Sequence, residues 1–287
     1  MDAKTGKSII ARLIFISICV QFLITNSIQF QCNVNKLQDY NEKYEQLCRN
    51  GTVISLNKIN CIYRLSCHYL NKHPYLRLAP IKVETLHDDP QLMLAHEILS
   101  EEEMQQLKKR PRLGIWHRSP PEAKVPNPRI GKNSDHRISQ SAWLPINGLV
   151  KRIYKRTSAF TALSTETAET LQITNYGLGG FYSLHLDYFS VKTFNERIGT
   201  VMFYLSDVEI GGATVFPHLD VTAHPIKGDA LFWYNLQSSG VGDSETLHAA
   251  CPVLMGDKWV ANIWLHEAGQ EFVRPCPTDW LNHHRDK

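Results

Sequence analysis

Between Leu171 and His266 the chain is cut by glycine into short apolar segments. Leu171, Ile173 and Tyr176 approach a loop that contains Gly177, Gly179 and Gly180. Val201, Phe203 and Leu205 alternate with more mixed residues, and period-two alternation is the signature of a strand. Gly211-Gly212 marks a turn, and residues 213–216, 230–234 and 258–266 read as further strands. Short strands punctuated by glycine, behind a few helices, predict a mostly β fold: a sandwich or jelly-roll core with helical support.

The last of these strands says most. Successive side chains of a strand point to opposite faces. Trp259, Ala261, Ile263 and Leu265 then form a wholly apolar face that belongs against a core. Lys258, Val260, Asn262, Trp264 and His266 share the other face. A cation, an amide, an indole and an imidazole on one face, with a tryptophan among them, suit a lined cavity better than a solvated surface. A desolvated ammonium needs a partner, and the carboxylate of a ligand supplies one.

Upstream, Ser100-Glu-Glu-Glu103 is a capping box that opens a helix, with Pro111 to end it. Ile146, Leu149, Val150 and Ile153 recur at helical spacing and predict an amphipathic helix. Residues 117–136 are rich in Pro, Ser, Lys and Arg and read as a loop.

Hydrophobic residues make up 43% of the 287-residue chain, enough for a packed core. A net charge of +3 gives no reason to expect nucleic-acid or membrane-surface binding. Lys4, Lys7 and Arg12 precede an apolar stretch from Leu13 to Thr25, the pattern of a secretory signal peptide over residues 1–28. Residues 29–85 then read as a short cysteine-containing segment and 86–287 as the main domain. After the leader come Cys32, Cys48, Cys61, Cys67, Cys251 and Cys276, whose connectivity the sequence leaves open. Asn50-Gly51-Thr52 is a glycosylation sequon. The final residues carry no KDEL-type retention signal.

Two histidines and an aspartate complete the chemistry. His185-Leu-Asp187 follows the glycine loop, and on a strand its two polar side chains share a face. His248 lies downstream, before Lys258. Two imidazoles and one carboxylate make a facial triad with open coordination positions, the arrangement of non-haem Fe(II) oxygenases. A zinc hydrolase also uses such ligands, but no general base is evident beside them.

With these residues in view, the chain resembles the α subunits of collagen prolyl 4-hydroxylase. The resemblance is carried by 175–187 (Asn-Tyr-Gly-Leu-Gly-Gly-Phe-Tyr-Ser-Leu-His-Leu-Asp), 197–207, Gly211-Gly-Ala-Thr-Val-Phe-Pro217, Phe232-Trp-Tyr-Asn-Leu236 and His248-Ala-Ala-Cys-Pro-Val-Leu254. It continues through Lys258-Trp-Val and Trp264-Leu-His-Glu267, and runs from about Tyr44 to Cys276. It implies a double-stranded β-helix (jelly-roll) core with Fe(II) on His185, Asp187 and His248. It implies that Lys258 binds 2-oxoglutarate, with Tyr176 and Thr200 as helpers and Trp264 and His266 nearby. Tyr182 would face the peptide substrate. By the same analogy Cys48 pairs with Cys67 and Cys251 with Cys276.

The implied reaction is hydroxylation of peptidyl proline to 4-hydroxyproline with O2 and 2-oxoglutarate, releasing succinate and CO2, with L-ascorbate as reductant. The implied substrate is a Pro-rich, collagen-like peptide. The implied β subunit is protein disulfide isomerase, which would hold the complex in the endoplasmic reticulum lumen. The usual α subunit has long dimerisation and peptide-binding regions for which there is no room between the leader and Tyr44, so a short form is expected. Leu184, Leu247 and Ile263 stand where the family commonly has proline, arginine and lysine. An alternative from another class is a catalytically idle α-like chain that occupies protein disulfide isomerase or modulates full-length subunits.

Overall fold

The computed structural model describes residues 41–49, 66–109, 117–118, 136–189 and 195–275. The leader, the Asn50 sequon, Cys32, Cys61 and Cys276 lie outside the described residues. The chain divides into a unit that ends at Gln46 and a body that begins at Leu47. Of the first unit, residues 41–46 are helical.

The body is built mainly of antiparallel strands. In chain order these are β1 (Ser66–Leu70), β2 (Ile81–His87), β3 (Leu92–His96), β4 (His117–Arg118), β5 (Arg137–Ile138), β6 (Gln140–Trp143), β7 (Gln172–Tyr176) and β8 (Phe181–His185). There follow β9 (Arg197–Tyr204), β10 (Ile210–Gly211), β11 (Thr214–Phe216), β12 (Val221–Ala223), β13 (Ala230–Tyr234), β14 (His248–Ala250), β15 (Val253–Met255) and β16 (Lys258–His266). Nine form one sheet in the order β1-β2-β3-β13-β9-β16-β7-β6-β4. Five form a second, β12-β11-β14-β8-β5, and β10 pairs with β15.

The nine-stranded sheet is covered on both faces, which is why its central strands are apolar almost throughout. From β9, Val201 and Phe203 join a cluster that includes Leu149, Val150 and Ile153 of the helix α2 (Gly148–Thr161). Met202 and Tyr204 face the other way, into a cluster with Phe216, Ala250 and Val253 from the smaller sheet side. β16 divides as its alternation requires: Trp259, Ala261, Ile263 and Leu265 lie on the helix side. The result is the jelly-roll core expected from the sequence, with helices behind the larger sheet.

The helix signals act locally. The helix α1 (Glu101–Lys109) opens with the capping box: Glu103 N–H donates to Ser100 Oγ at 3.3 Å, and Ser100 N–H to Glu103 Oε2 at 3.1 Å. α2 begins later than Ile146, because the Asn147 side chain accepts from the N–H groups of Leu149 and Val150 and so caps it there. Ile146 is left outside and exposed.

Two expectations need correction. β2 runs through position 85, and β1 and β2 are ordinary members of the large sheet, so a boundary at 85/86 would cut a strand that is hydrogen-bonded on both sides. The disulfide pairing also differs. Cys48 is joined to Cys251, with their Cα atoms 5.6 Å apart, within the reach of a bridge. Each sulfur forms one such bond, so neither Cys48–Cys67 nor Cys251–Cys276 can form beside it. Cys67 is free and exposed on β1.

Candidate metal and co-substrate site

The site lies between the two sheets, at the ends of β8 and β14. The glycine loop before β8 sets its approach. A Cβ on Gly180 would stand 2.7 Å from Gly177 O and 3.0 Å from Ile138 O, so only glycine lets the loop close against β5. β8 pairs with β14, and His185 sits directly opposite His248. The strand stops at His185. Asp187 is therefore delivered from a bend beyond the strand rather than along its face, as the i, i+2 spacing had suggested.

The three side chains nonetheless converge, with ligand atoms within 4.8 Å of one another. His185 Nε2 is 3.7 Å from Asp187 Oδ1, and His248 Nε2 is 3.9 Å from Asp187 Oδ2. His185 Nδ1 is held 2.8 Å from Ser183 O, and His248 Nδ1 2.9 Å from Thr246 O. These backbone bonds place the proton on Nδ1 and leave each Nε2 lone pair facing inward, the orientation that metal-binding histidines need. Burial lowers the His185 pKa well below the ordinary value, with help from nearby His248, so the ring is neutral and able to ligate. Burial alone would raise the pKa of Asp187. His248, His185, Arg197 and the Thr200 hydrogen bond outweigh it, and the carboxyl is held ionised.

Deeper in the same pocket, Lys258 is 1% exposed. Its ammonium donates to Thr214 Oγ1 at 3.1 Å and lies 5.7 and 5.6 Å from the ring centroids of Tyr176 and Tyr204. No carboxylate pairs with it among the described residues, and burial lowers its pKa to about 7. Trp233 Nε1 and Trp264 Nε1, on residues lining the pocket, are buried without a hydrogen-bond partner among the described residues. Two inward-facing imidazole nitrogens and a carboxylate, beside a buried cation with no carboxylate partner among the described residues, fit a metal ion with an anionic chelator. A separate cavity of about 760 Å³ lies beside α1. Two cations on its wall are matched: Arg156 with Glu103 at 2.9 Å, and Lys227 with Glu101 at 3.3 Å.

The other expected residues are held by contacts of their own. Thr200 lines the pocket and donates to Asp187 Oδ2 at 2.7 Å. His266 is turned to Glu169 (3.1 Å) and Asn195 O (2.8 Å). The Tyr182 ring stacks on His185 at 3.5 Å between centroids, and the Arg137 guanidinium lies 4.5 Å over Tyr182. Arg137, Thr214 and Trp233 line the pocket and were not singled out as site residues in the sequence. Asn262 lies on the pocket face that the alternation of β16 predicts; for Thr214 the signal is a polar group within a buried strand.

The geometry is that of an oxygenase domain, and the comparisons agree. The profile of the 2OG-Fe(II) oxygenase superfamily matches residues 171–266, which contain all three ligands and Lys258. Residues 171–266 form a 2OG-Fe(II) oxygenase domain. More particularly, the chain is similar to α subunits of prolyl 4-hydroxylase. It is 43% identical over 262 residues to subunit alpha-2 of Caenorhabditis elegans, covering 85% of this chain and 47% of that one. It is 44% identical over 251 residues to subunit alpha-1 of Rattus norvegicus, covering 82% and 45%. The chain thus spans about half the length of the curated relatives it matches. Among solved structures, a viral collagen prolyl hydroxylase from Paramecium bursaria Chlorella virus-1, in its 2OG complex, aligns with a TM-score of 0.51 and 25% identity. That alignment covers 61% of this chain and 95% of the viral one. No helix among the described residues is long and apolar enough to cross a membrane.

Proposed function

We propose that the chain is a prolyl 4-hydroxylase, an Fe(II)- and 2-oxoglutarate-dependent dioxygenase that hydroxylates C4 of a peptidyl proline and releases succinate and CO2. One observation carries this reading: the buried, unpaired Lys258 ammonium shares a pocket with the converging His185, Asp187 and His248. When bound, Fe(II) supplies the activation of O2 that side chains lack.

The protein's own residues do the remaining work. His185 and His248 present Nε2, each oriented through a backbone carbonyl, and Asp187 supplies the negative charge. Lys258, with Thr214 alongside, receives the distal carboxylate of 2-oxoglutarate, and Tyr176 walls the same end. The unpartnered N–H groups of Trp233 and Trp264 offer donors to ligand oxygens. Tyr182, half-buried against His185, faces the peptide. The remaining roles follow from the resemblance of the sequence to collagen prolyl 4-hydroxylase α subunits and from the expected leader. The substrate is a Pro-rich, collagen-like peptide, L-ascorbate keeps the iron ferrous, and the enzyme works in the endoplasmic reticulum lumen with protein disulfide isomerase as β subunit.

The test is turnover. The purified chain, alone and with protein disulfide isomerase, is given Fe(II), 2-oxoglutarate, ascorbate and a Pro-Pro-Gly peptide. Succinate release and a gain of ~16 Da on the peptide, one oxygen atom, are expected. No turnover on any proline-containing peptide, with cellular function unchanged in His185→Ala, would favour the idle subunit.

A further inference from the structure

We infer that Thr200 and Asn235 form a directional hydrogen-bond relay that holds Asp187 to one-oxygen metal coordination, making Asn235 a positioning residue of a site it does not line. The inference rests on the metal centre proposed above. Thr200 Oγ1 donates to Asp187 Oδ2 at 2.7 Å, and Asn235 Nδ2 donates to Thr200 Oγ1 at 3.0 Å. Thr200 is 1% exposed and Asn235 0%, so neither bond competes with bulk water.

Chemistry sets both directions. An ionised carboxylate only accepts, and a hydroxyl has one proton to give. The Thr200 proton goes to Asp187, which leaves its oxygen able only to accept, and the Asn235 amide meets it with a donor. Were the amide reversed, two acceptors would face each other. The far end of the amide shows that packing alone does not explain Asn235: its Oδ1 is buried without a partner among the described residues, which an apolar side chain of similar size would avoid. The backbone holds the pair in place. Thr200 lies opposite Trp233 in the β9–β13 register, Asn235 N–H donates to Ile198 O at 2.9 Å, and Asn235 O accepts from Asp243 N–H at 2.9 Å.

Distance alone does not decide how Asp187 binds, because Oδ1 stands 3.7 Å from one histidine Nε2 and Oδ2 3.9 Å from the other. The relay decides it, by engaging Oδ2. A carboxylate that used both oxygens would take a second position on the ion and leave one fewer for 2-oxoglutarate and O2.

Cobalt(II) gives a visible readout that needs no turnover. The full chain and its Thr200→Val, Thr200→Ser, Asn235→Leu and Asn235→Ala variants, with the Thr200→Val/Asn235→Leu double, are loaded with Co(II). Their visible spectra are recorded, and 2-oxoglutarate affinity is measured by calorimetry. Thr200→Val and Asn235→Leu should each alter the Co(II) spectrum and weaken 2-oxoglutarate by about tenfold or more, the usual scale for such supporting contacts. Thr200→Ser should restore both, and the double variant should be no worse than Thr200→Val alone. Circular dichroism confirms folding, and Asn235→Ala serves if Asn235→Leu fails to fold. Unchanged spectra and affinities, or additive losses in the double variant, would overturn the relay. Wild-type protein that bound no Co(II) would instead overturn the metal centre, and the relay with it.

Discussion

The Lys258 ammonium donates to the Thr214 hydroxyl at 3.1 Å, with no carboxylate beside it among the described residues. A buried charge met only by a hydroxyl weakens the ligand-free fold and waits for an anion. Lys258→Met should therefore split two properties. Affinity for 2-oxoglutarate should fall about a hundredfold, since one member of a buried ion pair is gone. The melting temperature of the ligand-free protein should rise. Calorimetric titration and thermal melts read the two; an unchanged affinity would remove Lys258 from the co-substrate pocket.

The same group sets a pH dependence. Its folded pKa is about 7, below the ordinary 10.5, so between these values the unfolded chain binds more protons than the folded one. The ligand-free protein should gain stability as pH rises through that window. Ligand binding should behave oppositely. A dicarboxylate needs the ammonium, so above a pH of about 7 its binding takes up a proton and its affinity declines. Titrations at about pH 8, in buffers of differing ionisation enthalpy, should give different apparent heats. Equal heats would mean that Lys258 enters the complex already charged, or stays outside it.

Metal should stabilise the protein through three residues. A ligand at a hundredfold excess over its Kd adds about 2.7 kcal/mol to the folded state. Fe(II) or Co(II) should raise the melting temperature and a chelator should reverse the rise, whereas Asp187→Ala and His248→Ala proteins should show neither effect. The ligand-free protein should also lose stability in acid. Burial and His248 depress the His185 pKa, so as pH falls through about 6.5 the unfolded chain gains a proton that the folded ring refuses.

The parts of this protein that were legible in sequence are those where local rules act alone. The capping box at Ser100 and Glu103 needs only four consecutive residues, and it forms as read. The division of β16 into a core face and a pocket face needs only period two, and Trp259 and Lys258 fall on opposite sides. What tertiary contact decides was hidden. Asp187 lies past the end of β8, where alternation no longer applies. Thr200 is drawn to Asp187 by Asn235, thirty-five positions away. The Cys48–Cys251 bridge joins residues 203 positions apart, a choice that spacing does not reveal.

Glu169, Arg197 and His266 form a brace behind the site whose strength should depend on pH. Arg197 Nη2 donates to Glu169 Oε2 at 3.0 Å, while its Nη1 donates to the backbone oxygen of Asp187 at 3.2 Å. Its guanidinium also lies 4.3 Å from the Trp264 ring centroid. The Glu169 hydrogen bond raises the His266 pKa against the opposing effect of burial. A raised histidine contributes stability that is fully present below its ordinary pKa of 6.5 and is lost as pH climbs through the folded value. Glu169→Gln removes that contribution and the negative charge opposite Arg197. Because the carboxylate side chain is 28% exposed, solvent screening limits the cost to about 1–3 kcal/mol. Urea denaturation across a pH series should show the deficit of the variant largest near pH ~6 and smaller near pH ~8, as the His266 share disappears. Since Arg197 also holds the backbone of Asp187, the Co(II) affinity of the variant should fall. A deficit that stayed constant with pH would mean that Glu169 and His266 do not share a proton-linked interaction, and that the brace acts through Arg197 alone.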